Sequence, residues 1–216
     1  MPPLLALAYA IALLLAAGYA GLIGYLLHHW RRLPVWEPPV SDPPPVFISV
    51  LVPARNEAGR IGACLRSLQR QSLPAGRFEI IVIDDHSTDD TAAVVRAMAL
   101  PNLRLLSLAA HLPDEAVHSY KKDALALGVA AARGELIVTT DADCQVPPRW
   151  LYLLATRYAA GRPAFLAAPV VLSGERTAME RFQSLDVLGT MVLTGAGIRA
   201  GWLHLANGAN LAYPRS

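Results

Sequence analysis

The sequence predicts an α/β domain with a mostly parallel central sheet, preceded by one transmembrane helix. The first observation is a run from Leu4 to Leu27 without a charged side chain, because about 20 apolar residues suffice to cross a bilayer core as a helix. The second is a series of three apolar runs, each followed by a polar loop and a helical pattern. Such strand–loop–helix units are typical of parallel sheets.

The N-terminal run is interpreted as a membrane helix, not as a signal peptide. No basic residue precedes it and no clean small-residue cleavage site follows it. Trp30, Arg31 and Arg32 come next, and positive residues favour the cytoplasmic side of a membrane. We therefore expect a transmembrane helix at 4–27 and a cytoplasmic C-terminal domain.

A linker and one globular domain are expected after this helix. Residues 28–45 are basic and then proline-rich, which favours an extended spacer. The globular part is expected from residue 46 to residue 216.

The composition indicates no nucleic-acid-binding surface, because the net charge of the 216 residues is only +2. Cys64 and Cys144 are far apart in the sequence and predict neither a zinc site nor a disulfide framework, which fits a reducing compartment.

The first predicted unit begins with a strand at Val46–Val52 and continues into the loop Pro53–Glu57. Asn56 is a good N-cap residue. One apolar face of the following helix is expected to contain Ile61, Cys64, Leu65 and Leu68. A helix N-terminus at a strand end can receive a nucleotide, although without a glycine-rich sequence this signal alone is weak.

The second unit has a strand at Phe78–Ile83, followed by Asp84 and Asp85. Ser87 with Asp90 resembles a capping box at the start of the next helix. Asp84 and Asp85 precede that cap and have no evident structural role. We expect a carboxylate here to accept a hydrogen bond from a base N–H or a ribose hydroxyl.

The third unit has a strand at Leu103–Leu108, a polar loop from His111 to His118, and a helix that Lys121 and Lys122 open. Lysines in the first turn of a helix oppose its dipole. A ligand diphosphate would explain them, and two solvated surface lysines remain the alternative.

Asp141 and Asp143 follow the apolar run Leu136–Val138, where a buried strand is expected to end. Ligands bind at this edge of open α/β sheets. Two acids one residue apart, with no Lys or Arg between them, repel each other unless a cation lies nearby. Their oxygen ligands suit Mg²⁺ or Mn²⁺ bound with a phosphate. The alternative is a solvated acidic turn.

Taken in order, the motifs resemble those of the family-2 glycosyltransferases. The segments that carry the resemblance are Val50–Glu57, Ile81–Asp89, Lys121–Leu125, Thr140–Cys144 and Asn207–Tyr213. The resemblance extends from about Val46 to the C-terminus and implies a nucleotide-diphospho-sugar transferase sandwich, the Rossmann-like GT-A fold. The membrane helix resembles the branch with bacterial polysaccharide synthases and lipid-glycosylating enzymes, which implies the inner (cell) membrane.

The resemblance also implies roles for individual residues. The nucleotide-sugar contacts it implies are Pro53, Ala54, Arg55, Glu57, Asp84, Asp85, Lys121, Lys122 and Asp141. Asp143 would bind Mg²⁺ or Mn²⁺, with Asp141 contacting the ribose or the water shell of the metal. The acceptor-side residues it implies are Asn207, Gly208 and Asn210, although Asn-Gly is also an ordinary turn signal.

The implied reaction is inverting transfer of a sugar, most commonly from a UDP-sugar in this family, to a polysaccharide or lipid hydroxyl. Family members usually carry a later acidic motif that supplies the general base, whereas Asp186 is the last acid here and the chain stops at Ser216. We therefore expect the base beyond Ser216, in a longer enzyme of which this chain is the donor-binding part.

Two other functions compete with sugar transfer. One is a membrane-tethered module that binds a nucleotide-sugar without turnover. The other is a haloacid-dehalogenase phosphatase, which would require Thr or Val where this sequence has Gln145.

Overall fold

The computed structural model describes residues 3–38, 43–111, 119–203 and 205–215. Part of the predicted proline-rich linker (39–42), part of the predicted polar loop (112–118, with Asp114, Glu115 and His118) and His204 lie outside the described residues. The chain divides into two compact units. One contains Met1–Trp36 and Pro169–Ala206, and the other contains Glu37–Ala168 and Asn207–Ser216. The domain boundaries at 4–27, 28–45 and 46–216 stay a prediction.

The described residues form helices and strands in alternation after the first helix. The helices are α1 (Pro3–Arg31), α2 (Ile61–Gln69), α3 (Thr91–Ala97), α4 (Tyr120–Ala131), α5 (Trp150–Gly161) and α6 (Ala178–Ala200). The strands are β1 (Ile48–Ala54), β2 (Phe78–Asp84), β3 (Leu103–Ser107), β4 (Leu136–Thr139), β5 (Leu166–Ala167) and β6 (Leu211–Pro214). Short 3₁₀ helices lie at Ala75–Arg77 and Gly208–Asn210.

The sheet has the order β3-β2-β1-β4-β6-β5. Strands β1 to β4 are parallel to one another, and β6 is antiparallel to both β4 and β5. Leu51 of β1 pairs with Ile81 of β2 on one side and with Thr139 of β4 on the other. The carboxyl ends of β1, β2 and β4 are therefore adjacent, and the predicted mostly parallel sheet is confirmed.

Helices cover both faces of the sheet, which explains why its central strands are nearly continuous apolar runs. On one face, Val50 and Val82 belong to a buried cluster with residues of α2, α3 and α5. The four apolar positions predicted for α2 are buried in this cluster. On the other face, Leu51, Ile81 and Ile137 pack with α4. The alternation of side chains along each strand thus divides the core into two layers.

One charged residue, Glu79, is buried inside the sheet, with 1% of its side chain exposed. Its Oε1 accepts hydrogen bonds from Ser49 Oγ (2.7 Å) and Arg133 N (2.7 Å). Its Oε2 accepts from Arg104 Nη1 (3.2 Å) and Arg133 Nε (3.1 Å). Burial raises the pKa of Glu79, but these hydrogen bonds and the Arg133 charge outweigh burial and lower it overall. A fully paired carboxylate thus joins β1, β2, β3 and the loop before β4.

The unit that contains α1 and α6 is built around the contact between these helices. By length and composition, α1 is apolar enough to cross a membrane, and its 29 residues span about 43 Å at 1.5 Å per residue. Trp30 of α1 packs on Gly195 of α6, where a Cβ atom would lie 2.8 Å from the indole ring. A capping box between Thr177 and Glu180 starts α6.

Candidate functional site

A cavity of about 250 Å³ lies at the carboxyl ends of β1, β2 and β4. Three loops and the start of α4 contribute its walls. The lining residues are Pro53, Ala54, Arg55, Glu57, Asp85, Lys121, Asp141, Ala142 and Asp143. All but Ala142 are residues that the sequence analysis singled out, so residues up to 90 positions apart in the sequence meet in one place, as the strand order requires.

The loop after β1 is fixed by hydrogen bonds to the loop after β2. Asn56 has a left-handed backbone, with φ of 56°, and its N–H donates to Ser87 Oγ at 3.0 Å. Asn56 Oδ1 accepts from Thr88 N at 2.8 Å. Glu57 N donates to Thr91 Oγ1 at 2.8 Å. The prediction that Asn56 is the N-cap of α2 is therefore wrong, because α2 begins at Ile61 and Asn56 bridges two loops.

The predicted capping box in the loop after β2 is also wrong. Asp90 precedes α3 and makes no side-chain capping hydrogen bond, while Ser87 Oγ accepts from the loop after β1. Asp89 instead bonds to the first residue of α3, since its Oδ1 accepts from Thr91 N at 3.0 Å. Asp84 and Asp85 lie in different surroundings. Asp84 Oδ1 accepts from Ser87 N at 3.3 Å, whereas Asp85 lines the cavity.

Asp85 is buried, with a hydrogen bond to the next residue in the chain. Its Oδ1 lies 3.0 Å from His86 Nδ1. The ring of His86 meets the ring of Tyr120 edge-on, with centroids 6.1 Å apart, and Arg55 Cζ lies 4.1 Å from the centre of the Tyr120 ring. Sequence reasoning missed His86 and Tyr120, because only the tertiary fold brings these rings together.

Lys121 reaches the cavity from the first turn of α4, the position that the sequence predicts, and its role toward a diphosphate stays a prediction. Its Nζ forms an ion pair with Asp141 Oδ1 at 2.6 Å. The Lys121 ammonium group therefore supplies part of the positive charge that was expected near Asp141 and Asp143. Lys122 is exposed and does not line the cavity.

Carboxylates dominate the remaining wall. Burial raises the pKa of Glu57, and the negative charges of Asp143, Asp89 and Asp141 raise it further against the opposing effect of Arg60. Asp143 is exposed, and no ion pair to it occurs within the described ranges. This uncompensated negative charge fits a divalent cation with oxygen ligands. No cluster of three potential protein ligands exists in the described part of the chain, so a cation here would take further ligands from phosphate or water.

Both cysteines border the two aspartates, a proximity that their sequence separation did not predict. Cys64 Sγ donates to the Asp141 carbonyl and Cys144 Sγ to Asp143 Oδ1, each at 3.7 Å. Burial, with the nearby Cys144 and aspartates, raises the pKa of Cys64 to about 12. Burial likewise raises the pKa of the Cys144 thiol, so both thiols favour the protonated form at neutral pH.

The three residues implied for the acceptor side do not line the cavity. Asn207 Oδ1 accepts from Ala209 N at 2.9 Å, and Asn210 Oδ1 accepts from Trp150 Nε1 at 2.9 Å. Both amides thus shape the turn before β6. Gly208 approaches the site more closely, since a Cβ atom there would lie 4.0 Å from Lys121 Nζ. Their role toward an acceptor stays a prediction.

The profile of Glycosyl transferase family 2 matches residues 49–194. The chain belongs to this family. The match begins one residue after the start of β1 and includes β2 to β4 and every residue that lines the cavity. Family membership decides against the phosphatase alternative. The predicted family and the predicted GT-A fold are confirmed.

Two solved structures and one curated relative are similar to this chain. A Pyrobaculum calidifontis mannosyltransferase in complex with GDP-mannose and Mn²⁺ is 28% identical with a TM-score of 0.68, covering 95% of this chain and 55% of that one. Mycobacterium tuberculosis glucosyl-3-phosphoglycerate synthase with Mn²⁺, UDP and phosphoglyceric acid is 25% identical with a TM-score of 0.56, covering 79% and 56%. An undecaprenyl-phosphate 4-deoxy-4-formamido-L-arabinose transferase of Pseudomonas aeruginosa is 32% identical over 116 residues, 53% of this chain and 33% of that protein. The chain thus spans a third to about half of the length of these proteins.

Proposed function

We propose that the protein transfers a sugar from a nucleotide-diphospho-sugar to a hydroxyl of a membrane lipid or a polysaccharide, with a divalent cation and with inversion at the sugar carbon. The observation that carries the proposal is the meeting of Asp85, Lys121, Asp141 and Asp143 around one cavity. This set combines a hydrogen-bond acceptor for a base, a positive charge for a phosphate, a carboxylate for a metal and a second carboxylate for the ribose or the water shell of that metal.

The place of each side chain in the cavity supports a proposed role. Asp85 accepts a hydrogen bond from the nucleobase, and the loop Pro53–Glu57 contacts the nucleoside. Lys121 exchanges its ion pair with Asp141 for the diphosphate, which frees Asp141 for the ribose or for the water shell of the metal. That exchange costs little, because the side chains of the ion pair are 54% and 34% exposed and surface pairs contribute at most about 1 kcal/mol.

The chemistry is a single displacement. The acceptor oxygen forms a bond to the sugar C1 as the bond from C1 to the diphosphate oxygen breaks, and a general base takes the proton of the acceptor hydroxyl. Negative charge grows on the leaving diphosphate, where Lys121 stabilises it. A divalent cation held by Asp143, either Mg²⁺ or Mn²⁺, would supply further stabilisation of that charge. Both similar solved structures contain Mn²⁺, which supports the choice of cation.

A cytoplasmic membrane face is the proposed location. The apolar helix α1 is long enough to cross a bilayer, and Arg31 and Arg32 at its end favour the cytoplasmic side. The transfer of a sugar to undecaprenyl phosphate by the Pseudomonas relative supports a lipid acceptor, with a growing polysaccharide as the other candidate. We propose the inner membrane of a bacterial-type cell on the same grounds.

The test is a transfer assay with the full chain in membranes. Radiolabelled UDP-glucose, UDP-N-acetylglucosamine and GDP-mannose are each supplied with Mn²⁺, and label is followed into the lipid extract and into polymer. We expect one donor to label an acceptor fraction in the wild type but not in Asp143→Ala. Binding of a donor without any transfer would contradict the proposal and support the binding module without turnover.

A further inference from the structure

Helix α6 carries a band of exposed apolar side chains along its N-terminal half. Met179, Phe182 and Leu185 are each 67% exposed, and the exposed Leu188 continues the series. Because these residues recur at every third position, each lies beside the next on the helix surface and the band is continuous. Soluble surfaces rarely expose a contiguous apolar patch, which is typical of a contact with another protein or with a membrane.

The C-terminal half of α6 packs on the end of α1. A Cβ atom on Gly195 would lie 2.8 Å from the ring of Trp30, and Arg199 Nε donates to the carbonyl oxygen of Arg32 at 3.4 Å. Helix α6 thus contacts α1 where its apolar run gives way to Trp30, Arg31 and Arg32. An aromatic residue followed by basic residues is typical of the level at which a membrane helix meets the lipid headgroups.

The side chains around this contact are those that a lipid surface attracts. Arg31, Arg32 and Arg199 are exposed, and none of them forms an ion pair within the described residues. Trp202, just after the end of α6, is also exposed. Basic side chains near a membrane are attracted by anionic lipids, and tryptophan is enriched at the membrane–water interface. The exposed charge is therefore complementary to that of phospholipid headgroups.

The charged residues of α6 argue against a second membrane span. Glu180, Arg181 and Asp186 lie within the helix, and a charge at the centre of a bilayer is costly. Helix α1 is the single candidate span among the described residues. A helix that combines an apolar band with charged residues and low overall hydrophobicity lies in the plane of the interface instead.

We propose that α6 is an interfacial helix, whose exposed band of Met179, Phe182, Leu185 and Leu188 contacts the lipids of the membrane that α1 crosses. The partner is thus an anionic bilayer surface. It is favoured over a second copy of the chain, because the contact with Trp30 and Arg32 already brings α6 to the headgroup level. The inference rests on the proposed membrane location of α1.

The experiment measures which quencher reaches a fluorophore on each side of α6. The full chain, with Cys64→Ala and Cys144→Ala, is reconstituted in vesicles of phosphatidylethanolamine and phosphatidylglycerol. A nitrobenzoxadiazole probe is attached to Phe182→Cys or to Leu185→Cys. Its emission is quenched either by nitroxide-labelled lipids or by iodide in solution, and circular dichroism checks that each variant is folded.

Two further probe positions serve as controls. Gln183→Cys is the matched control, because Gln183 is exposed and lies about 160° around the helix from Leu185 at 3.6 residues per turn. Leu15→Cys reports on the middle of α1, where the side chain is also exposed.

We expect nitroxide-labelled lipids to quench the probes at Phe182→Cys and Leu185→Cys, and iodide to quench the probe at Gln183→Cys several-fold more strongly than those two. Equal quenching of all three by iodide would place the band in water and overturn the inference. Protection of the band from both quenchers would show that protein covers it, which would overturn the inference as well. If nitroxide-labelled lipids do not quench Leu15→Cys, the proposed membrane location fails and the inference with it, which is a distinct result.

Discussion

Replacement of Glu79 by alanine tests whether the buried carboxylate network stabilises the sheet beneath the site. Glu79 accepts four hydrogen bonds, from Ser49 Oγ, Arg133 N, Arg133 Nε and Arg104 Nη1. The two guanidinium groups can turn to water, since the side chains of Arg104 and Arg133 are 40% and 66% exposed. The Ser49 hydroxyl and the Arg133 N–H cannot turn to water in this way and would lose their acceptor.

The magnitude follows from those two donors. An unsatisfied buried donor costs about 1–3 kcal/mol, so Glu79→Ala should lower the free energy of unfolding by about 4 kcal/mol. For a domain of this size that corresponds to a decrease in Tm of roughly 10 °C. The assay is thermal unfolding of the full chain in detergent, followed by circular dichroism at neutral pH.

Glu135→Ala is the matched control. Glu135 pairs with Arg162 at 3.0 Å, but the side chains are 39% and 64% exposed, so its loss should change stability by less than about 1 kcal/mol. Equal destabilisation by Glu79→Ala and Glu135→Ala would refute the argument that burial makes the Glu79 network important.

The pH dependence of the Glu79 effect has a definite sign. The pKa of Glu79 is lower in the folded protein than its ordinary value, so the unfolded chain binds the proton more readily. The stabilisation by Glu79 is fully present above the ordinary carboxyl pKa of about 4.3. It is lost as pH falls through the lowered folded pKa, so the difference between wild type and Glu79→Ala should shrink in acid.

Three further changes are predicted. Gly134→Ala should destabilise the fold by about 3 kcal/mol in the same thermal assay, because its Cβ would lie 2.4 Å from a backbone nitrogen of β1; an unchanged Tm would contradict the close approach. Lys121→Met should weaken UDP binding by ~10- to 100-fold in calorimetry with little loss of stability, whereas the exposed Arg70→Met should change neither. Iodoacetamide at pH 8 should label Cys144 before Cys64, whose pKa is about 12, and peptide mass spectrometry that finds Cys64 labelled first would refute this.

Strand positions and the location of the site were largely predictable, because both depend on short-range patterns. The predicted strand Phe78–Ile83 corresponds to β2 with one residue added, and the predicted Val46–Val52 is shifted by two residues in β1. Long apolar runs indicate buried parallel strands, whose carboxyl ends meet at one edge. That rule predicts that Asp85 and Asp143 lie at one edge of the sheet, and both line the cavity.

The caps and the finer contacts were not predictable from local sequence. Asn56 and Ser87 look like ordinary capping residues, yet each bonds to a loop about 30 residues away in the chain. Local capping and tertiary hydrogen bonds use the same donors and acceptors, so sequence alone cannot decide between them. The contacts of Tyr120 with Arg55 and His86 likewise depend on the packing of α4 against the sheet.

The most direct test of the account is calorimetric titration of the full chain with UDP, in Mn²⁺ and in EDTA, for wild type and Asp143→Asn. Asp90→Asn serves as the control, since Asp90 is an exposed acid outside the cavity. We predict that wild type and Asp90→Asn bind UDP in Mn²⁺, and that EDTA or Asp143→Asn abolishes this binding. Equal binding of UDP by folded Asp143→Asn, in EDTA as in Mn²⁺, would contradict the proposed metal-dependent donor site.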